Sequence, residues 1–339
     1  KGLSIGSLMV SDRAHMVMPY HKLLDGLCED GAGDAQIGTT KRGIGPCYTD
    51  KAARLGLRMC DLMSDSFGSK LRTVLAQKND ILTKIYGQPA LEADKMLDEF
   101  SVYRDKLKPY VCDTVRVCHD LYKSGKKMLF EGAQGMLLDI DFGTYPYVTS
   151  SHPISGGVSI GTGLPPAAVS DVVGVVKAYT TRVGKGPFAT ELFDETGERI
   201  REKGHEYGAT TGRPRRCGWL DLVIVGFAAR ISGITSIALS RMDTLGGFDK
   251  VKVCVAYDID GHMTKDYPAS LEEFAKAKPV YKEFAGWSSD ISHVRKFEDL
   301  PKGARDYVEF IENETETPVG MIGVGPDRSE CVVRRKYFE

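Results

Sequence analysis

The chain has 339 residues, with 45 Lys and Arg against 46 Asp and Glu and a formal net charge of −1, so no global field draws it to nucleic acid or to an anionic membrane; any polyanion site must be local. Hydrophobic residues make up 42% and charged residues 27%, which excludes a disordered, collagenous or membrane composition and leaves a globular one with a sizeable core. Glycine, at 37 residues, is in excess, as in chains whose backbone turns tightly or approaches a ligand closely.

In chain order, Lys1 to Val10 carry neither the basic start and long apolar stretch of a signal peptide nor the look of a transit peptide. Residues 37–46, Ile-Gly-Thr-Thr-Lys-Arg-Gly-Ile-Gly-Pro, form a polar loop rich in glycine, hydroxyls and cations. Tyr48, Lys51, Arg54 and Arg58 follow at helical spacing. Residues 66–125 read as a helical subdomain within a single domain of residues 1–339, because Leu, Val, Ile and Met recur three and four apart through Lys70–Tyr86 and Leu91–Tyr122. Short β-type runs come next, at Lys127–Glu131, Val172–Val183, Ile234–Ser240 and Lys250–Tyr257, with a helix expected over Trp219–Ser232. This alternation predicts an α/β fold with a large, mostly parallel sheet flanked by helices. Asp260-Gly261 predicts a hairpin, so part of the sheet is antiparallel. The longest apolar run, Leu222 to Ala229, is far short of the ~20 residues a bilayer needs. Eight scattered cysteines without a C-x-x-C fit reduced thiols and a cytoplasmic protein.

Several segments carry chemistry. The 37–46 loop suits phosphate through freed backbone N–H groups and Thr hydroxyls, or is simply a loop before a solvated helix face. Phe130-Glu-Gly-Ala-Gln-Gly135 delivers Gln134 in a turn between two glycines, where an amide can meet a purine edge or a phosphoryl oxygen. Thr149-Ser150-Ser151 can ligate another phosphate oxygen or be a polar turn. Asp139 and Asp141 read as a metal-binding or acid/base pair, or as loop residues facing water or satisfying backbone amides. Gly208-Ala-Thr-Thr-Gly-Arg-Pro-Arg-Arg216 is the densest cationic cluster, and guanidinium forks grip carboxylates and phosphates bidentately. No aromatic side chains interleave it, which argues against a nucleic-acid patch. Ile237 to Asp243 reads as a strand ending in Arg-x-Asp, where a carboxylate can accept the N1–H and 2-amino hydrogens of guanine or cap a helix. Gly323-Val-Gly-Pro-Asp-Arg328 is a further Gly-rich turn after a strand. No G-x-x-x-x-G-K-[ST], G-x-S-x-G or zinc-type histidine spacing occurs.

Gly43-Ile-Gly-Pro-x-Tyr-x-x-Lys51-x-x-Arg54 together with Gly-Ala-Thr-Thr-Gly-Arg resembles the signatures of the adenylosuccinate synthetases, and the likeness runs from Ser11-Asp-Arg-Ala-His15 to the end. It implies a fold related to GTP-binding P-loop proteins, a homodimer, and GTP-dependent ligation of IMP and L-aspartate through 6-phosphoryl-IMP in AMP biosynthesis. The alternative is a non-catalytic nucleotide-binding module or regulatory fragment. By resemblance, Thr40, Arg54, Gln134, Thr149, Val183 and Arg213 contact IMP, with Arg54 reaching across the dimer. Ala209, Thr210, Thr211, Gly212, Arg213 and Arg215 hold aspartate; Arg215, Arg241, Asp243, Gly323, Val324 and Gly325 bind GTP; Gln134 and Lys51 are the catalytic candidates. Arg241 stands where the family usually has Lys. The family's Gly-Asp-Glu-Gly-Lys-Gly-Lys-like phosphate loop and the Gly-His segment after it do not occur in these residues. The resemblance therefore implies Mg²⁺ with its ligands outside this chain, no metal ligand within it, and no catalysis by the chain unaided.

Overall fold

A computed structural model describes residues 6–208, 212–287 and 290–337. The chain resolves into two compact units. The first comprises residues 1–131, 149–151 and 157–168; the second comprises 132–148, 152–156 and 169–339.

The first unit is mainly helical. In order it contains β1 (Val10–Ser11), α1 (Pro19–Gly31), α2 (Ile44–Ala53), α3 (Met59–Leu62), α4 (Phe67–Lys84), α5 (Ala93–Leu107), β2 (Val111–Cys112), α6 (Thr114–Lys123) and α7 (Gly157–Thr162). Strand β1 pairs in parallel with β2. Helix α4 buries Phe67, Leu71, Val74, Leu75 and Leu82 on one face, the three-and-four spacing seen in the sequence. Phe67, Leu71, Val74 and Leu75 join Met18, Tyr20, Leu62, Met96 and Phe100 in one core. The helical run expected over Leu91–Tyr122 is two helices, because Pro109 cannot continue α5 and the chain turns into β2 before α6. Lys127–Glu131, expected as a strand, is irregular. A strand needs a neighbouring ladder, and the described sheets are built from other segments.

The second unit has the α/β architecture, with mixed sheets flanked by helices. It contains β3 (Val173–Lys177), β4 (Tyr179–Arg182), α8 (Glu195–Lys203), β5 (Arg216–Asp221), α9 (Leu222–Ser232), β6 (Ser236–Ser240), β7 (Lys250–Ile259), β8 (His262–Thr264), α10 (Leu271–Ala275), β9 (Lys278–Ala285), α11 (Lys302–Thr315), β10 (Val319–Gly323) and β11 (Cys331–Val333). One sheet has the order β11-β10-β6-β3, in which β6 runs parallel to both β3 and β10. The other runs β4-β5-β7-β8, with β9 also on β7; β5 and β7 are parallel and the remaining pairs antiparallel. Asp260 and Gly261, both at positive φ, turn β7 into antiparallel β8 as the sequence predicted. Ile237, Leu239, Val251, Val253 and Ile322 from the strands pack with Val225 of α9 and Tyr307, Val308 and Ile311 of α11. The expected Val172–Val183 strand is broken into β3 and β4, and the expected Trp219–Ser232 helix begins only after Asp221.

Asp221 makes that boundary. Its Oδ1 accepts the N–H groups of Val223 (3.1 Å) and Ile224 (3.3 Å), capping α9, and its Oδ2 accepts the Tyr257 hydroxyl at 2.6 Å. Burial pushes this carboxyl from 3.8 up to about 6, so the stability tied to its neutral form is complete below about pH 4 and lost as pH rises through about 6. Asp221→Ala removes the cap and the tyrosine bond and is expected to cost about 3 kcal/mol. Asp221→Asn keeps the cap through Oδ1, donates an amide N–H to the Tyr257 oxygen in place of the present bond, and should lack the loss between pH 4 and 7. Urea midpoints at pH 5 and pH 8 check both expectations.

Candidate active site

The carboxyl ends of parallel strands are where open α/β sheets bind ligands. Here β3, β6 and β10 end side by side. Lys177 is in register with Ser240, and Ile322 with Leu239, so Lys177, Ser240 and Gly323 close one edge of the sheet. A Cβ added to Gly323 would lie 3.3 Å from the Ser240 Cα, so a side chain there would push the two strand ends apart by a few tenths of an ångström. A Cβ on Gly325 would fall 2.3 Å from Glu330 Oε2, the mobile end of a side chain that would have to turn away. Val324 between them is fully buried.

Beyond Ser240, Arg241 takes a left-handed conformation (φ 67°) and starts a short 3₁₀ turn, Met242–Leu245, that carries Asp243. Asp243 Oδ1 is buried and accepts no hydrogen bond from the protein. Burial raises the carboxyl's pKa against the pull of its own backbone N–H, Arg241 and Lys203. An acceptor left in that state costs free energy unless a ligand's donor meets it. Arg241, Asp243 and residues 323–325, about eighty positions apart in sequence, thus meet at one strand edge.

The same edge carries a buried carboxylate. Glu206, 1% exposed, accepts Lys177 Nζ at 2.7 Å and the Tyr179 hydroxyl at 2.6 Å on Oε1, and Arg215 Nη1 at 2.6 Å on Oε2. Burial alone would raise its pKa, but the Lys177 and Tyr179 hydrogen bonds outweigh that and hold it low. Burial lowers the pKa of Lys177, and the charges of Arg215 and Arg241 push the same way against Glu206. The Arg215 N–H also donates to the Glu206 carbonyl (2.8 Å), and Tyr207 bridges Pro214, so Glu206 anchors the base of the cationic loop. Gly212 is left-handed (φ 64°) and Arg213 exposed. Ala209, Thr210 and Thr211 lie outside the described residues.

Val183, 53% exposed, heads a loop held by two other arginines. Buried Arg182 donates to Thr144 Oγ1 (2.7 Å) and the Lys185 carbonyl (3.0 Å). Arg216 pairs with Glu191 and reaches the Gly186 carbonyl (2.8 Å). Gln134, expected at a strand end, sits instead in an irregular segment, exposed and left-handed (φ 64°). No strand precedes it because 127–131 forms none.

In the first unit, buried Glu29 accepts the Gly38 N–H (2.6 Å) and those of Ile37 and Thr39 (both 3.3 Å), and Asp25 accepts that of Gly43 (2.8 Å). These bonds shape the loop that presents Thr40, which is exposed. Gly43 must be glycine, since at φ 82° its Cβ would come within 2.7 Å of the Lys22 backbone nitrogen. A Cβ on Gly45 would lie 3.8 Å from Ser150 Oγ, which puts the hydroxyl run of Thr149–Ser151 beside the first turn of α2. Lys51 lies 5.4 Å from the Tyr48 ring centroid, and Arg54 ends the helix in a left-handed conformation (φ 65°), both exposed. Beneath them His21 Nε2 donates to Asp50 Oδ2 (2.8 Å), Lys78 pairs with the other oxygen, and His21 Nδ1 accepts the Met18 N–H (2.9 Å). Burial keeps this imidazole neutral by lowering its pKa.

The support residues Glu29, Asp50, His21, Lys78, Arg182 and Glu206 went unseen in the sequence. The only local signal is at Glu206, an acid just before a cationic loop. Magnesium takes near-octahedral oxygen ligands. Among the described residues the one converging group of three His, Cys, Asp or Glu side chains is Asp139, Asp141 and His152, whose imidazole does not suit it. Also among the described residues, no helix is long and apolar enough to cross a membrane.

Comparison with known proteins agrees with the geometry. The family described as adenylosuccinate synthetase matches residues 1–332. The adenylosuccinate synthetase of Caldanaerobacter subterraneus subsp. tengcongensis is 53% identical over 99% of this chain and 79% of its own length. That of Clostridium novyi is 55% identical over 96% and 76%. The structure of the fully ligated adenylosuccinate synthetase from Plasmodium falciparum superposes with a TM-score of 0.90 at 41% identity, covering 97% of this chain and 78% of that one. With a family match along nearly its whole length, relatives more than half identical across it and a closely superposing fold, the chain belongs to the adenylosuccinate synthetase family, the GTP-dependent ligases that join IMP to L-aspartate in AMP biosynthesis.

Proposed function

We propose that guanine of GTP lies against Arg241 and the Gly323–Gly325 turn and gives its N1–H and 2-amino hydrogens to Asp243. The observation that carries this is the buried, unpartnered Asp243 Oδ1 at the joined ends of β6 and β10. Adenine has no such pair of donors. Arg213 and Arg215, with the loop 209–212, hold the carboxylates of L-aspartate, and Arg215 also reaches GTP. The support is the anchoring of Arg215 on Glu206, which leaves its remaining N–H groups a fixed direction.

IMP is assigned to Thr40, Gln134, Thr149, Val183 and Arg213. The Thr40 loop and the 149–151 hydroxyls at the start of α2 are the elements suited to a phosphate. Arg54, exposed at the end of that helix, is assigned to the IMP phosphate of a second subunit in a homodimer. Lys51 adds positive charge from the same helix. The 6-oxo group of IMP is a poor leaving group, so loss of the N1 proton lets O6 attack the γ-phosphorus of GTP, releasing GDP. The aspartate amine then displaces phosphate from C6. Gln134 orients the 6-phosphoryl group, and positioning and charge neutralisation carry most of the acceleration. We assign the protein to the cytoplasm, supported by eight cysteines that are all free thiols.

Expressed from the whole coding sequence, the protein is expected to release phosphate from GTP only when IMP and L-aspartate are both present. Release that persists when either is omitted, or none with all three, overturns the reading.

A further inference from the structure

Asp139 is fully buried in a tight turn. Its Oδ1 accepts the N–H groups of Asp141 (3.0 Å) and Phe142 (3.2 Å). The turn is closed by Gly143 N–H to the Asp139 carbonyl (2.9 Å) and Thr144 N–H to the Leu137 carbonyl (3.0 Å). A Cβ on Gly143 would fall 2.3 Å from the Leu137 carbonyl oxygen. Asp139 Oδ2 is left buried with no hydrogen bond, and a carboxylate oxygen in that state costs free energy unless something binds it.

What faces it is His152 Nδ1, 3.4 Å away, and Asp141 Oδ2 lies 3.8 Å from the same nitrogen. The three ligand atoms all lie within 4.8 Å of one another. Two ligands on a tetrahedral cation with bonds of 2.0–2.1 Å are about 3.3 Å apart, whereas cis ligands on octahedral magnesium are only about 2.9 Å apart. The imidazole beside two carboxylates favours a zinc-class ion over magnesium; the 3.4 Å pair matches a tetrahedral edge, and Asp141, exposed, draws in on binding.

We propose that Asp139, Asp141 and His152 form a divalent transition-metal site, with water completing the coordination. The exposed Asp141 side chain leaves an entry path. The occupied site ties the 139–144 turn to residue 152 and closes the loop between them. Thr144 of that turn is also the acceptor of Arg182, so the cation braces the support of the Val183 loop.

Cobalt(II) titrated into nucleotide-free protein tests this. The expected result is one equivalent bound with visible d–d absorption and no thiolate charge-transfer band. His152→Ala and Asp141→Asn should each weaken binding at least about tenfold. Zinc should raise the unfolding temperature of the parent protein but not of His152→Ala. No cobalt bound, a thiolate band alone, or unchanged affinity in both variants would overturn the proposal; the first would leave Asp139 and His152 as a simple ion pair.

Discussion

Asp243→Asn is expected to lower kcat/KM for GTP by at least about 100-fold while allowing XTP to replace it. The carboxylate offers two acceptors to guanine, and hydrogen bonds to a charged group are worth about 1.5–3 kcal/mol each. The amide keeps one acceptor for N1–H but points an N–H at the 2-amino group, donor against donor. Xanthine has a carbonyl at that position and restores the match. Because burial already disfavours the charged form of Asp243, removing the charge should leave the unfolding midpoint close to that of the parent. The measurement is kcat/KM for both nucleotides with both proteins, expressed from the whole coding sequence. Unchanged GTP use would remove Asp243 from guanine recognition, and equal loss with XTP would reduce it to a structural residue.

What the sequence made legible was local. Asp260-Gly261 announced its hairpin, and the α4 periodicity announced its buried face, because turn chemistry and amphipathic spacing are written in neighbouring residues. Pro109 held the information that splits the run Leu91–Tyr122, yet the apolar spacing carries across it. Lys127–Glu131 has strand-like composition, but composition does not say whether a partner strand exists. Asp243 was readable as a strand-end carboxylate; that Gly323 closes against Ser240 depends on a register between segments about eighty residues apart. Glu206, whose one local sign is the cationic loop after it, and the His21–Asp50–Lys78 set went unread for the same reason. Each is a lone polar residue until folding buries it against partners 28 or 29 positions away.

Glu206→Ala is expected to have the larger effect on the fold. It leaves Lys177 beside Arg215 with no counter-charge, and breaking a buried pair from one side costs about 3–5 kcal/mol. The carboxyl is held below its ordinary 4.5 because hydrogen bonds from Lys177 and Tyr179 outweigh the burial that would raise it. Its stabilisation is therefore complete above about pH 4.5 and lost as pH falls through the lower folded value, a loss the variant should lack. Loss of stability alone would not show that Glu206 positions Arg215. The pair Glu206→Leu with Lys177→Met separates the two effects, since it replaces a buried ion pair by apolar groups of similar size and should recover most of the midpoint. Arg215 remains unanchored in that double variant, so the KM for L-aspartate should stay at least about tenfold above the parent, as for loss of a supporting contact, with the KM for IMP little changed. Recovery of both stability and aspartate KM would mean that Glu206 serves only to neutralise Lys177.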